Sequence, residues 1–141
     1  MTNREKKAWL SRYLPLMREI RALCEEYEQV MSLGVRMTPV YSDMPKASGG
    51  VDHVQGAVDR LTAIAEVARG KAEQLEMLRG EIMAAVETVR PETLRELLYR
   101  RYIRGETFEE IAYKLGYQWR WTIVLHGRAL EALRIPENRT C

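Results

Sequence analysis

The polar side chains best suited to chemistry are concentrated between residues 118 and 128. Arg120 carries a planar guanidinium that can bind guanine through two hydrogen bonds, and Gln118 can bind adenine or instead cap a helix. Basic and imidazole side chains nearby are candidates for phosphate contacts. These phosphate candidates are His126, Arg128, Arg101 and Lys114. Together these residue types predict recognition of nucleic acid.

Apolar side chains are interleaved with these polar ones. They are Trp119, Trp121, Ile123 and Val124. In a DNA groove such side chains can contact thymine methyl groups, and on a free surface they can equally form a protein interface. Trp121 is also predicted to pack against a neighbouring helix. The sequence leaves these alternatives open.

The sequence offers no arrangement of residues for catalysis. Its two histidines, His53 and His126, lack a second histidine or cysteine at metal-ligand spacing. Its acidic residues are spread along predicted helix faces, and neither a Gly-x-Ser-x-Gly motif nor a phosphate-binding glycine loop occurs. Two cysteines, Cys24 and Cys141, are too few for a disulfide framework, and Cys24 is predicted to be a buried free thiol. We therefore expect no enzymatic activity and no bound metal or cofactor.

The elements that must position residues 118–128 are two helices joined by a turn. Thr107 and Glu110 have the spacing of a capping box, and Gly116 can adopt the left-handed conformation that ends a helix. A second helix follows from Gln118. The predicted buried positions are Ile111, Ala112 and Leu115 in the first helix, and Thr122, Leu125, Ala129 and Leu133 in the second. This order of elements is typical of a DNA-reading helix-turn-helix.

This segment resembles region 4 of sigma-70-type transcription factors. The matching residues are Tyr102-Ile103, Gly105, Thr107, Glu109-Glu110-Ile111-Ala112, Leu115-Gly116, Arg128-Ala129-Leu130 and Leu133. With its front half included, the chain is similar to the small phage and prophage regulators of the ArpU type, in which an α-helical front half is joined to a sigma-like C-terminal region. The resemblance is good over residues 90–135 and looser over 1–89, and it implies DNA binding and control of late-gene transcription. The chain departs from the sigma pattern at Gln118, Trp119, Trp121, Ile123 and Val124.

Residues 4 to about 33 show an unbroken heptad pattern. The residues that repeat at spacings of 4 and 3 are Trp9, Tyr13, Leu16, Ile20, Leu23, Tyr27 and Val30. Such a seam favours packing against another long helix. Pro15 lies inside it, and proline removes a hydrogen bond and clashes with the preceding turn. We expect a kink there, or a break that makes Pro15 the first residue of the main helix.

A second heptad pattern predicts another long helix, from an N-cap at Asp52 to about Val89. Its seam is Val54, Val58, Leu61, Ala65, Ala68, Ala72 and Leu75, followed after a three-residue slip by Leu78, Ile82, Ala85 and Val89. Prolines and glycines in residues 34–51 predict a long loop, acting as a linker or a partner-binding segment. Two heptad helices joined by one loop most simply form an antiparallel hairpin, and self-association would bury its remaining apolar surface.

A third amphipathic helix is predicted from Glu92 to Ile103, with Pro91 in its first turn. Its apolar residues are Leu94, Leu97, Leu98, Tyr102 and Ile103. Charge is uneven along the chain. Residues 1–89 carry 12 Lys and Arg against 13 Asp and Glu, a balance of −1, whereas residues 90–141 carry 10 against 7, a balance of +3. The positive excess in the second part favours phosphate contacts.

The sequence therefore predicts an all-α protein, in which a long antiparallel, coiled-coil-like hairpin precedes a three-helix, sigma region 4-like helix-turn-helix. Residues 1–89 are expected to serve oligomerisation or partner binding, and residues 90–141 to bind DNA. The predicted function is sequence-specific, sigma-factor-like regulation of phage or prophage late genes. Candidate partners are double-stranded DNA, RNA polymerase and a second copy of the chain, with a dimer favoured.

Two alternatives to this function stay open. One is a small-terminase-like DNA-packaging adaptor, and the other is an RNA-polymerase-binding module that does not read DNA. No apolar run approaches the ~20 residues that span a bilayer, and the N-terminus lacks a signal-peptide core. We therefore expect a cytoplasmic protein without membrane contact.

Overall fold

A computed structural model of the chain describes residues 1–37 and 49–136, and the side chains of residues 1–34 and 54–136. These residues form the helices α1 (Asn3–Leu10), α2 (Tyr13–Met37), α3 (Gly49–Glu87), α4 (Glu92–Tyr102), α5 (Phe108–Leu115) and α6 (Trp119–Ala132). No strand occurs in the two described ranges, so the predicted all-α class is confirmed. Within them, no helix combines the length and the apolar character that crossing a membrane requires.

Pro15 explains the break between α1 and α2. A continuous helix would set its ring against the carbonyl of Ser11, four residues earlier, and Pro15 has no N–H to bond to that carbonyl. α1 instead ends with the Ser11 N–H bonded to the Lys7 carbonyl at 3.0 Å, and α2 begins at Tyr13. The expected kink at Pro15 is therefore wrong. The alternative of a break is confirmed, although α2 starts at Tyr13 and not at Pro15. As the third residue of α2, Pro15 lies where an N–H would have no partner within the helix.

Residues 17–74 form one of two compact units, built from most of α2 and the first part of α3. Two ion pairs connect these helices. Glu26 Oε1 lies 3.3 Å from Arg60 Nη2, and Glu19 Oε2 lies 2.8 Å from Lys71 Nζ. Because residue numbers fall along α2 as they rise along α3, the two helices run antiparallel in this unit. Each exposed pair contributes at most about 1 kcal/mol to stability, so their main value here is that they show the alignment of the helices.

The packed row of α3 follows a single heptad repeat. Its buried and half-buried members are Ala57, Leu61, Ile64, Ala68, Lys71, Leu75, Leu78, Ile82, Ala85 and, just beyond the helix, Val89. The spacings alternate between 4 and 3 throughout, so the predicted slip between residues 75 and 78 is wrong. Lys71 occupies a seam position, with its apolar stem in the row and its ammonium group on Glu19. In contrast, Val54 and Val58 of the predicted seam are 50% and 47% exposed.

The second compact unit consists of residues 1–16 and the described residues from Leu75 onward. In this unit α6 contacts α1, α4 and α5. The largest fully buried side chains are Leu10, Ile82, Val86, Val89, Leu97, Leu98, Ile111, Thr122 and Leu133. Lys6 of α1 donates from Nζ to the carbonyls of Leu130 at 2.9 Å and Glu131 at 3.3 Å. These bonds satisfy carbonyls that would otherwise be free at the C-terminal end of α6.

Several predicted helix limits differ from the structure. α3 begins at Gly49, so Asp52 lies in its first turn and is not its N-cap. Residues 34–37 and 49–51, predicted as loop, are helical, and the rest of the predicted loop lies outside the described residues. α4 has the predicted start, but Pro91 is its N-cap and not part of its first turn. The helices α2 and α3 therefore extend further into the predicted loop than its glycines and prolines suggest.

Cys24 is exposed, so the prediction of a buried thiol is wrong. It follows the seam residue Leu23 directly, and one step along a helix turns a side chain by about 100°. That rotation moves Cys24 out of the packed row.

The predicted division of the chain at residue 89 does not coincide with the two compact units. α1 and the last part of α3 belong with residues 90–136. α1 belongs with these residues because Lys6 bonds to Leu130 and Leu10 is completely buried, and the last part of α3 belongs with them because Ile82 is completely buried. The assignment of partner binding to the front half and DNA binding to the rest stays a prediction.

Candidate nucleic-acid interface

The turn between α5 and α6 is built from local signals. Thr107 Oγ1 accepts from the Glu110 N–H at 3.2 Å, and Glu110 Oε2 accepts from the Thr107 N–H at 3.3 Å, so the predicted capping box is confirmed. Gly116 has φ 74°, which confirms the predicted left-handed stop. The Tyr117 N–H bonds to the Ala112 carbonyl at 2.9 Å, as in a Schellman motif. α6 then starts at Trp119.

α6 has a buried face and an exposed face. The predicted buried residues Thr122, Leu125, Ala129 and Leu133 are at most 8% exposed, so this face is confirmed. The exposed side chains include seven of the ten predicted contact residues. These are Gln118, Trp119, Arg120, Trp121, Ile123, Val124 and Arg128. Exposure makes them available to a partner, whether that partner is DNA or protein.

The first turn of α6 is suited to an anion. It contains no acidic side chain, and the side chain of its N-cap, Gln118, makes no capping hydrogen bond. The first N–H groups of the helix are therefore without a side-chain acceptor, and the helix dipole adds partial positive charge there. Arg120 is exposed in the same turn. A phosphate or the acceptor edge of a base matches this combination.

Trp121 and Arg128 contact each other on the exposed face. Cζ of Arg128 lies 5.0 Å from the centroid of the Trp121 ring, a cation–π distance. Trp121 is 42% exposed, so it is covered less than the predicted packing against a neighbouring helix requires. A guanidinium stacked on a ring keeps its N–H donors at its edge. Arg128 can therefore still donate to phosphate.

Arg101 and Lys114 already have partners within the chain. Arg101 Nη1 donates to the Glu106 carbonyl at 3.1 Å, and its Cζ lies 4.2 Å from the centroid of the Phe108 ring. Lys114 Nζ forms an ion pair with the Glu106 carboxylate. These contacts join α4, α5 and the segment between them. Arg101 and Lys114 thus help to position α5 against α4, and their phosphate contacts stay a prediction.

Glu106 is a buried carboxylate, 6% exposed, with cationic partners from both helices. Besides Lys114 of α5, Arg100 Nη1 of α4 lies 3.2 and 3.3 Å from its two oxygens. Burial alone would raise the pKa of Glu106, but the hydrogen bonds from Lys114 and Arg100 outweigh it, so the pKa is lowered. The ionised carboxylate thus clamps the start of the helix-turn-helix segment to α4.

His126 is not a phosphate contact, and that prediction is wrong. It is 8% exposed, and its Nε2 lies 2.7 Å from the Tyr102 hydroxyl. Phe108 packs edge-on against its ring at 5.0 Å between centroids. Burial, with the positive charges of Lys7 and Arg101, lowers the pKa of His126 to about 4. The imidazole is therefore neutral at pH 7 and shares a hydrogen bond with the Tyr102 hydroxyl, whose own pKa is raised by burial to about 12.

Sequence reasoning missed several members of this site. Glu106 carried no periodic signal, because it lies between helices and its role depends on Arg100 and Lys114. His126 did carry one: it stands four residues after Thr122 and three before Ala129, so helical spacing puts it on the buried face. Tyr113 and Tyr117, 89% and 39% exposed, also border the turn before α6.

The chain was compared with protein-family models, with curated proteins and with solved structures, and no match was found. Among the described side chains, no group of three or more His, Cys, Asp or Glu is arranged to hold a metal ion.

Proposed function

We propose that the chain is a transcriptional regulator that binds double-stranded DNA with the exposed N-terminal surface of α6. The observation that carries the proposal is the start of α6, which is uncapped, free of acidic residues and marked by exposed Arg120, directly after a Schellman turn. In helix-turn-helix proteins, residues at this position contact base edges in the major groove. The sigma-like control of phage or prophage late genes, in the cytoplasm and without catalysis, is proposed from the resemblance.

Each exposed side chain has a role in this proposal. Arg120 reads a guanine, because its fork can donate two hydrogen bonds to one base. Arg128, stacked on Trp121, contacts phosphate, as do the N–H groups of the first turn. Ile123 and Val124 contact thymine methyl groups.

The test is binding of the purified chain to DNA from upstream of its own gene, against random competitor, over a series of salt concentrations. Arg120→Ala should lower the ratio of specific to random affinity by about 10- to 100-fold. Arg128→Ala should weaken binding to both DNAs alike and reduce the slope of log affinity against log salt by about 1. Equal losses on both DNAs with Arg120→Ala would contradict the reading role of Arg120.

Arg69→Ala is the matched control for these substitutions. It removes the same charge from an exposed position on α3, outside the candidate interface. Binding, specificity and salt slope should equal those of the unmodified chain. A loss with Arg69→Ala as large as that with Arg128→Ala would show that net charge, and not the α6 surface, governs binding.

A second candidate function is a protein-binding module, with RNA polymerase as the proposed partner. The exposed apolar side chains of Trp119, Ile123 and Val124 favour it, since contiguous exposed apolar residues commonly mark protein interfaces. It predicts no DNA binding even at low salt, together with binding to purified RNA polymerase that Ile123→Ser and Val124→Ser abolish. DNA binding that persists in these two variants, without any polymerase binding, would exclude it.

A further inference from the structure

The antiparallel helices of residues 17–74 have a charged flank. Glu19 and Glu26 each stand one residue before a seam residue of α2, and Arg60 stands one residue before a seam residue of α3. The Glu26–Arg60 ion pair, at 3.3 Å, places these positions on the same side of the two helices. The charges of Glu26 and Arg60 on this charged flank are therefore paired within the chain.

The opposite flank is apolar on both helices. It is formed by the residues that directly follow the remaining seam residues of each helix. A residue that follows a seam residue projects to the opposite side of the seam from a residue that precedes one. On α2 they are Met17, Cys24 and Met31, and on α3 they are Val58, Ala65 and Ala72. Met31 and Val58 are 48% and 47% exposed, so these apolar side chains are still partly in water. We call these six residues the apolar flank.

We propose that the apolar flank is the interface through which two copies of this chain form a two-fold symmetric dimer. The proposal is independent of DNA binding. The partner is a second copy because the charges beside the flank, Arg21 and Glu28, complement those of another copy, and the spacing of the flank permits a two-fold axis. On each helix it consists of three residues seven apart, centred on Cys24 in α2 and on Ala65 in α3. The ion pairs Glu26–Arg60 and Glu19–Lys71 place these two centres at the same level.

A two-fold axis at this level pairs each helix with its own copy, antiparallel. Met17 then faces Met31 of the second copy, and Val58 faces Ala72 of the second copy. Cys24 lies opposite Cys24 of the second copy. The small side chains near the axis allow close approach of the helices, and the larger Met and Val side chains fill the space on either side.

Charges beside the flank favour this arrangement. Arg21 and Glu28 border it on α2, both are exposed, and neither forms an ion pair within the described part of the chain. The two-fold axis near Cys24 sets Arg21 against Glu28 of the second copy, and the same pair forms twice. The other symmetric arrangement, α2 on α3 of the second copy, would instead set Arg21 beside Arg69, a like-charge contact.

The first experiment is the mass of the full chain in solution over a concentration series, by sedimentation or light scattering. The unmodified chain should have twice the mass of its 16.4 kDa monomer. Met31→Glu should raise the dissociation constant at least about 100-fold, because it buries an unpaired carboxylate at the interface. Leu33→Glu is the matched control: it is on the same helix and 60% exposed, but on the charged flank, so dimerisation should be unchanged.

The second experiment tests the symmetry. In a Cys141→Ser chain, Cys24 is the sole thiol, and a short bis-maleimide should join two copies through it. Arg21→Glu should weaken the dimer, and adding Glu28→Arg should restore it. A monomer at all concentrations, a dimer that resists Met31→Glu, or a dimer without cross-linking at Cys24 would each overturn the proposal.

Discussion

The buried imidazole of His126, which is hydrogen-bonded to Tyr102, is uncharged in the folded chain at neutral pH. The pKa of His126 is lowered from 6.5 to about 4, so the unfolded chain takes up this proton at a higher pH than the folded chain does. The stability that the neutral His126 contributes is therefore fully present above pH 6.5, and it is lost as the pH falls from there towards 4. The pKa of Glu106 lies below its ordinary 4.5, so the stability that the ionised Glu106 contributes is lost only at a lower pH than the contribution of His126.

From this linkage we predict that the chain loses on the order of 2 kcal/mol of unfolding free energy between pH 7 and pH 5 through His126. His126→Phe should be less stable at pH 7, because the buried Tyr102 hydroxyl loses its hydrogen-bond partner, but it should lack this part of the pH dependence. Urea denaturation at both pH values measures the effect. His53 is present in both chains and cancels from the comparison, so identical pH slopes would contradict the prediction.

A second prediction at this scale concerns the clamp at Glu106. Glu106→Gln should lower the unfolding free energy by about 2 kcal/mol at pH 7, because it removes charge-assisted hydrogen bonds from Arg100 and Lys114. The contribution of Glu106 is present above pH 4.5 and is lost as the pH falls through its lowered pKa, so the two chains should converge in acid.

Glu109→Gln is the control for this clamp, since it makes the same change at an exposed position nearby. It should alter stability by no more than about 0.5 kcal/mol. Thermal or urea denaturation of the three chains is sufficient, and equal losses for both variants would refute the clamp.

Local rules predict the residues whose environment is set by near neighbours in sequence. The cap at Thr107 and the stop at Gly116 depend on contacts within five residues, and both are confirmed. Glu106 depends on partners from other helices, so its burial could be recognised only in the folded chain. The burial of His126, in contrast, follows from its helical spacing to Thr122 and Ala129. The Thr2 and Glu5 capping box of α1 has the same spacing as the one at Thr107, and the sequence did carry that signal.

At the scale of the helix, glycines show how one substitution can have opposite effects. We predict that Gly116→Ala lowers stability by about 1 kcal/mol, because a Cβ is strained at φ 74°. Gly80→Ala, at an exposed position in the last part of α3 with open space around a Cβ, should instead raise stability by about 1 kcal/mol. Melting temperatures of the two variants measure this. A shift of the same sign in both would contradict the assigned backbone roles.

The register of α3 illustrates why helix existence is easier to predict than helix orientation. Heptad spacing predicts the long helix, but two rows fit it: the packed row through Ile64 and Lys71, and a neighbouring row through Val58 and Ala65. Counting apolar residues favours the second row, because Lys71 scores as polar. The burial of Ile64 and the pairing of Lys71 with Glu19 across the helices show which row is packed.

At the scale of the whole molecule, one compact unit is interrupted in sequence by the other. Residues 17–74 are inserted in sequence between the two segments of the unit that contains α1 and α6. We therefore predict that a fragment of residues 90–141, the DNA-binding region expected from sequence, unfolds without a cooperative transition, because it lacks Leu10, Ile82, Val86 and Val89 of the core.

The control for this fragment is a chain in which a short glycine-rich loop replaces residues 17–74. It keeps α1 and the end of α3, so it should be helical and should melt cooperatively in circular dichroism. A fragment of residues 90–141 that melts as sharply as this chain would show that α1 and α3 are dispensable for folding of the helix-turn-helix segment.

The bond between Lys6 and Leu130 joins residues 124 positions apart. During translation at about 5–20 residues per second, α1 is made roughly 6–25 seconds before its acceptor on α6 exists. For that time Leu10 and the apolar residues near the end of α3 have no complete core to enter. We therefore expect chaperones that bind exposed apolar segments to bind the nascent chain, and its maturation to slow when they are depleted.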